Sequence, residues 1–165
     1  MLAGAGERVL ASIGQNGSEL IVVPVRLSTL TRHKDSETWL NVARALGDAC
    51  KRQIVVEVRE IPRDIAQSRI TDLVMRLSSM FKSVAFEVPA VDPAFVAMIP
   101  PPVRLLSVDA KRIAWGPNHL PSSLFTRLVK ALEVKQKRLV VRNPPPDTVN
   151  ILAKSGALLY LPEGR

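Results

Sequence analysis

The sequence predicts a single α/β domain built from about six βα units. Six short runs of valine, isoleucine and leucine recur along the 165 residues with little polar alternation, which is typical of parallel strands covered on both faces. Amphipathic segments with helical periodicity fill most of the gaps between these runs. Aromatic residues make up only 4% of the chain, so the predicted core consists of Val, Leu, Ile and Ala. Joined by right-handed crossovers, such units form either an open doubly wound sheet or part of a (β/α) barrel.

The predicted strands and helices alternate along most of the chain. Residues 1–19 are predicted to form an N-terminal helix and loop, and the βα domain is expected to span residues 20–165. Strands are predicted at 20–28, 53–61, 83–89, 103–110, 138–145 and 157–162. Neither a G-x-G-x-x-G turn after the first strand nor a G-x-x-x-x-G-K-[ST] loop is present, which disfavours the usual nucleotide-binding sheets.

Two of the predicted helices carry clear apolar stripes. The stripes consist of Trp39, Val42, Ala43, Leu46 and Cys50 in residues 36–50, and of Ile70, Leu73, Val74, Leu77 and Phe81 in residues 64–81. Asp64 with Gln67 three residues later resembles a capping box at the start of the second helix. Asp147 is placed to cap a last helix, which is predicted to end at Gly156.

The bulk composition narrows the partners that the chain can be expected to have. A net charge of +8 and a pI of about 10.3 favour anionic partners, but the basic residues are scattered without a run of five or six, so nucleic-acid binding is the weakest alternative. One cysteine excludes an internal disulfide and a multi-cysteine metal site. The chain has neither a secretory signal nor an apolar stretch of about 20 residues, so we expect a cytoplasmic protein with no membrane partner.

An acidic residue, Glu57, interrupts the apolar run QIVVEVREI at residues 53–61. Strand periodicity places Glu57 on the same face as Val55 and Arg59, and burying an ionised carboxylate costs several kcal/mol unless a charge pairs with it. The other predicted strands also end in polar residues, and the carboxyl ends of parallel strands are where α/β proteins bind ligands. The candidate ligand-binding residues are therefore Arg26, Glu57, Arg59, Glu87, Ser107, Asp109 and Arg142.

The order of the strand motifs resembles that of the EAL domain family, cyclic-di-GMP phosphodiesterases with a TIM-like barrel. The motifs are VPVRLS, VVEVRE, VAFEVPA, LLSVDA and LVVRNPP, with helices between them. The family patterns run roughly V-x-V-N-L-S, L-x-L-E-I-T-E, I-A-L-D-D-F-G, x-x-K-I-D and V-I-A-E-G-V-E. The likeness covers the chain from Leu20 onward, and the preceding segment is similar to the helix and loop before the family's third strand. It implies a partial TIM-like (β/α) barrel that lacks the family's first two strands, including the Glu-Ala-Leu strand.

The family's metal-binding acids are only partly kept. By this resemblance Glu57 falls on a metal-binding glutamate and Glu87 on the first of two metal-binding aspartates, with Val88 in place of the second. Asp109 keeps the aspartate of the Lys-Ile-Asp motif. Arg26, Ser107 and Arg142 replace the metal-binding asparagine, the site lysine and the acid of the Glu-Gly-Val-Glu motif.

These replacements predict a domain without phosphodiesterase activity. Two-metal hydrolysis needs several carboxylates around a pair of cations about 4 Å apart, and permanently charged arginines repel a divalent ion. We expect Arg26, Arg59 or Arg142 to pair with Glu57 and Glu87, and no metal, cofactor or catalytic residue.

The predicted function is a protein-interaction or regulatory module in bacterial signalling. A six-strand sheet leaves edge strands open, so we expect either the N-terminal segment to cover the edges or a homo-oligomer or partner protein to dock there. The alternative is a metal-free sensor that binds cyclic-di-GMP or a related nucleotide through its arginines.

Overall fold

The computed structural model of the chain describes residues 9–12, 19–62, 65–88, 91, 96, 99–115 and 122–160. They contain one seven-stranded sheet. Its strands are β1 (Val9–Ser12), β2 (Glu19–Arg26), β3 (Ile54–Arg59), β4 (Ser83–Glu87), β5 (Leu105–Asp109), β6 (Arg138–Arg142) and β7 (Leu158–Tyr160). All six predicted strands are present, each within its predicted range or extended by one residue at its start.

Six α-helices connect or follow these strands in the described residues. They are α1 (Leu27–Thr31), α2 (His33–Ala45), α3 (Asp48–Lys51), α4 (Gln67–Ser78), α5 (Ser123–Val134) and α6 (Val149–Lys154). Two 3-10 turns, Ala110–Arg112 and Pro146–Thr148, follow β5 and precede α6. No helix in this part of the chain is long and apolar enough to cross a membrane.

The strands lie in the sheet in the same order as in the chain. β1 pairs with β2 in antiparallel fashion, and β2 through β7 pair in parallel with their neighbours in sequence. A doubly wound sheet would reverse its strand order at a switch point, and this sheet does not. Right-handed crossovers in sequential order place the connecting helices on one face. The α/β alternation is thus confirmed and consistent with a partial β/α barrel, whose closure stays a prediction.

The hydrophobic core lies between the helices and one face of the sheet. The strands contribute alternate residues to it, among them Val56, Val58, Phe86, Leu106 and Val141. The stripe predicted on α4 is confirmed, because Ile70, Leu73, Val74, Leu77 and the following Phe81 are all buried in this core. Trp39 of α2 packs near Phe81 with a ring-centroid distance of 5.7 Å.

The opposite face of the sheet, called here the inner face, is also buried. It is lined in part by Val22, Val55, Ala85 and Val140, which are at most 9% exposed, although they belong to the strand positions that point away from the helices. Glu57, Glu87, Ser107 and Arg142 share this face by the same alternation. These four polar residues therefore lie in an interior, not on a solvated surface.

The N-terminal segment differs from its prediction. Of the helix and loop expected over residues 1–19, the structure describes Val9–Ser12 and the start of β2 at Glu19, and it places Val9–Ser12 in a strand. Pairing with β2 satisfies the backbone groups of an edge that would otherwise be open, which outweighs local helix propensity. The sheet edges were expected to be covered either by the N-terminal segment or by another chain. At β2 it is the N-terminal segment that covers the edge.

Three smaller helix predictions are corrected as well. Helix α2 ends at Ala45, so Cys50 falls in the separate helix α3 and the predicted stripe is broken; Val42, within α2, is 65% exposed. Helix α4 begins after Ala66, which gives no side-chain cap; the predicted capping residue Asp64 lies outside the described residues. Asp147 lies inside a 3-10 turn, because the prolines before it start that turn first, while Gly156 ends the last helix as predicted with φ +84°.

A buried lysine fastens the loop before β5 to the start of β6. Lys137 is 5% exposed, and its ammonium group donates hydrogen bonds to three backbone carbonyls. The acceptors are Pro100 O at 3.0 Å, Pro101 O at 3.3 Å and Val103 O at 2.6 Å. Burial lowers the pKa of Lys137, and the nearby positive charges of Arg104 and Lys135 lower it further.

Candidate functional site

Four of the predicted site residues meet on the inner face near the carboxyl ends of the strands. Parallel pairing sets Glu57 beside Ala85, Glu87 beside Ser107 and Ser107 beside Val140. Arg142 ends β6 and is the register partner of Asp109. Since each strand alternates with period two, the side chains of Glu57, Glu87, Ser107 and Arg142 converge on one volume.

Arg142 is the centre of this cluster. Its Nε lies 3.1 Å from Glu57 Oε1, and its Nη2 donates a 2.5 Å hydrogen bond to Glu87 Oε1. Arg59 donates a 2.6 Å hydrogen bond from Nε to the other oxygen of Glu57. Glu57 therefore faces two arginines, and the predicted pairing with Arg59 and Arg142 is found.

The cluster is almost fully removed from solvent. The side chains of Glu57, Arg142 and Glu87 are 1%, 8% and 10% exposed, while that of Arg59 is 31% exposed. An isolated carboxylate at this depth would cost several kcal/mol, and each guanidinium offsets that cost only while it keeps its contact. The three deepest groups are thus interdependent, because Arg142 is shared by both acids.

The interior below the cluster is small and mostly apolar. A cavity of about 10 Å³ lies among Val22, Leu105, Ser107, Arg142 and their neighbours, which is about the volume of one water-sized sphere. It has no room for a nucleotide base. Ser107 Oγ is buried and has no hydrogen-bond partner among the described residues.

The remaining predicted residues lie at the rim and do not join the cluster. Arg26 pairs with Glu60 at 3.2 Å, and both side chains are more than half exposed, so its expected pairing with Glu57 or Glu87 is not found. The reason is position: Arg26 is the last residue of β2 and has Glu60, just past the end of β3, within reach. Asp109 accepts hydrogen bonds from the backbone of Lys111 at 2.9 Å and from Asn143 Nδ2 at 3.3 Å, which makes it the cap of a 3-10 turn.

One residue near the site was missed by the sequence prediction. Arg112, in the 3-10 turn after β5, brings a guanidinium nitrogen to 3.8 Å from Glu87 Oε1 and is 46% exposed. It lies outside the strand, so strand periodicity gave no signal for it. The Asp109 side chain that caps the turn sets its direction, and an aspartate at a strand end followed by a short turn was the available clue.

The arrangement offers positive charge where a metal site needs negative charge. No group of three His, Cys, Asp or Glu residues in the described ranges could hold a metal ion. Glu57 and Glu87 have their charge met by Arg59, Arg142 and, more distantly, Arg112. A divalent cation placed between the two acids would lie against the guanidinium of Arg142, so the residues present do not fit such an ion.

No protein-family model matches the chain, and no curated protein sequence matches it significantly. The likeness to the EAL family therefore rests on the order and spacing of the strand motifs and stays a prediction.

Proposed function

We propose that the chain is a degenerate EAL-like domain with a partial TIM-like barrel, without phosphodiesterase activity, that acts as a protein-interaction or regulatory module in bacterial signalling. The observation that carries this proposal is the buried guanidinium of Arg142, which lies between Glu57 and Glu87. In an active member of that family the positions of Glu57 and Glu87 would bind metal ions. Here the guanidinium of Arg142 neutralises both acids instead, so the cluster stabilises the fold at the place where the chemistry would occur.

The sheet edge supports an interaction role. Among the described residues β7 pairs only with β6, and it is the outermost strand on that side of the sheet. An outer strand presents unpaired backbone N–H and C=O groups, which a second copy or a partner protein can pair with. A homo-oligomer or a partner docked at β7 is the form of interaction that we propose.

Metal binding separates an inactive module from an enzyme. Wild-type protein is expected to give no heat with Mg²⁺ or Mn²⁺ in calorimetry and to leave cyclic-di-GMP intact. The Arg142→Glu variant adds a third carboxylate to the cluster, so its melting temperature should rise on addition of Mg²⁺ relative to EDTA, while that of the wild type should not. Tight Mg²⁺ binding or hydrolysis by the wild-type protein would contradict the proposal.

Oligomeric state tests the interaction role. Light scattering after size-exclusion chromatography should show concentration-dependent dimers or higher species if β7 pairs with a second copy. Adding a proline to the strand by Leu159→Pro removes a backbone donor and should abolish them. A monodisperse monomer at high concentration would count heavily against docking at this edge.

The second candidate is a metal-free sensor of cyclic-di-GMP or a related nucleotide. The observation in its favour is that Arg59 and Arg112 reach solvent at the rim, and guanidinium groups bind phosphates in bidentate fashion. The charge balance argues against a nucleotide sensor. The site has four carboxylates and four arginines, so it carries little excess positive charge for a doubly charged ligand. The arginines are Arg26, Arg59, Arg112 and Arg142. The four carboxylates belong to Glu57, Glu60, Glu87 and Asp109.

Ligand-dependent melting distinguishes the two candidates. A module without nucleotide binding shows the same melting temperature with and without saturating cyclic-di-GMP, both in EDTA and in Mg²⁺. A rise in EDTA that Arg59→Ala or Arg112→Ala abolishes would establish the sensor instead.

A further inference from the structure

The basic residues that are scattered in the sequence gather at one end of the fold. In parallel β/α units the amino ends of the strands and the carboxyl ends of the helices lie together, on the side away from the Glu57 cluster. Basic residues stand in the last turn of a helix, just after it, or at the start of the next strand in unit after unit. They are Arg44, Lys51, Arg52, Arg76, Lys82, Arg104, Lys135, Arg138 and Lys154, called here the basic end.

This end carries most of the excess charge of the protein. All of these nine side chains except half-buried Lys51 are exposed. Within the described residues the acids at the same end are Glu19, Asp48 and Glu133; the nine bases of the basic end against these three acids leave six positive charges there, without counting the buried Lys137, compared with +8 for the whole chain. Lys51 is the one member with a salt bridge in that part of the chain, to Asp48 at 3.7 Å.

Backbone contacts bring members of the basic end close to each other. The amide of Lys82 donates to Lys51 O at 3.1 Å, and the amide of Arg138 donates to Arg104 O at 2.9 Å. The Lys51 ammonium reaches Arg44 O at 3.2 Å. These links are set by strand pairing and short connections, so the backbone positions that carry these side chains are fixed next to each other.

Helix dipoles account for only part of this arrangement. A basic residue near a helix carboxyl end offsets about half a negative charge, which explains residues such as Arg44, Arg76 and Lys154. Arg104 and Arg138 lie at the starts of strands, where no helix end needs them, and Arg104 raises the cost of burying the nearby Lys137 ammonium. Mutual repulsion of this kind is unfavourable for the fold alone.

We propose that the basic end is a binding surface for the phosphodiester backbone of a nucleic acid. Five of its nine members are arginines, whose planar guanidinium groups suit phosphate oxygens. The surface is concave beside Arg138, where a cleft of about 380 Å³ opens between α5 and β6. Recognition by charge and shape alone predicts little sequence preference.

An anionic membrane is the competing polyanion, and the apolar residues argue against it. The exposed large apolar residues at this end of the described chain are Val42, Met75 and Val134, one on each of three helices. Surfaces that insert into a bilayer present a continuous apolar face, commonly with Trp, Phe or Leu, along one helix. Single side chains on separate helices do not form such a face.

The test measures binding of labelled single-stranded RNA, single-stranded DNA and duplex DNA by fluorescence anisotropy. If about half of the basic end contacts phosphates, affinity for duplex DNA should fall about 100- to 500-fold between about 50 and 200 mM salt, and affinity for single strands about 50- to 130-fold. The double variant Arg104→Glu/Arg138→Glu should bind at least about tenfold more weakly, with the slope against log salt reduced by about two. Its helix ends are untouched, and its melting temperature serves as the check on folding.

A matched control has the same total charge as the variant. Arg32→Glu/Lys34→Glu changes two exposed bases at the opposite end, at the start of α2, where acidic residues suit the helix. It should retain most of the wild-type affinity. Equal loss in both variants, no salt-dependent binding, or stronger binding to phosphatidylserine-containing vesicles than to any oligonucleotide would overturn the proposal. This inference is independent of the proposed function, because the Glu57 cluster and the edge strand play no part in it.

Discussion

Replacing Arg142 with methionine is the most direct perturbation of the inner-face cluster. Methionine keeps much of the length of the arginine side chain and removes its charge. Arg142 is the shared partner of Glu57 and Glu87, so the change leaves two buried acids with one close counter-charge, Arg59 at 2.6 Å from Glu57. Arg112, at 3.8 Å, remains the weaker partner of Glu87.

The expected loss in unfolding free energy is about 3 kcal/mol. Removing one partner of a buried ion pair costs about 3–5 kcal/mol, and the lower end applies because Arg59 still neutralises Glu57. For a chain of this length that corresponds to a fall in melting temperature of about 6–12 °C. The control is Arg26→Met, whose exposed pair with Glu60 is expected to contribute no more than about 1 kcal/mol.

Urea denaturation followed by tryptophan fluorescence measures both changes, since Trp39 and Trp115 are half-buried. The triple variant Glu57→Gln/Glu87→Gln/Arg142→Met removes the charges together and should be more stable than the single variant by about 1–3 kcal/mol. If the triple variant were as unstable as Arg142→Met, or if Arg142→Met cost no more than Arg26→Met, the cluster would not depend on paired charge and the reasoning would fail.

Three further substitutions test other features. Lys137→Met leaves three carbonyls without their donor and should cost about 2–4 kcal/mol of unfolding free energy. Because the pKa of Lys137 in the folded state is lowered from 10.5, the stability of the wild-type protein should rise with pH up to that value. A pH series of denaturation curves should show no such rise in the variant. Gly156→Ala places a β-carbon at φ +84° and 2.9 Å from Glu133 Oε1, so it should cost about 1–2 kcal/mol in denaturation, whereas Gly47→Ala has open space and should not. Ser107→Ala removes a buried hydroxyl that lacks a partner among the described residues, so the melting temperature should hold or rise, and a large fall would point to a hydrogen bond that the hydroxyl makes.

The position of the site and the pairing of its acids with arginines were predictable, but the choice of arginine for each acid was not. Period two fixed Glu57, and the convergence of parallel strand ends fixed Glu87 and Arg142. Which arginine pairs with which acid depends on how far each side chain extends past its strand. Arg26 and Arg59 are register partners at the ends of adjacent strands, yet one turns to Glu60 outside and the other to Glu57 inside.

The misplaced elements share one cause. The strand Val9–Ser12 is decided by its pairing with β2, and α2 ends at Ala45 because Leu46 and Gly47 adopt extended backbone, neither of which a helical apolar pattern registers. The prediction that Asp147 caps the last helix was wrong because the prolines before it start a 3-10 turn ahead of the helix. Long amphipathic patterns such as that of α4 survive because burial of a whole face outweighs such local effects.

The two ends of the sheet solve opposite electrostatic problems. At the carboxyl ends, charges of both signs are close, buried and matched, so they can stabilise the fold but leave little field for a ligand. At the amino ends, bases outnumber acids and most of them are exposed, so they add little to the fold and produce a field that reaches about 10 Å into solvent at moderate salt. The net charge of the chain shows neither arrangement of charges. Each βα unit returns the chain to the same end of the sheet. Basic residues spaced by one unit look dispersed along the sequence and form one surface in the fold, so a charge criterion based on runs of adjacent residues does not detect such a surface.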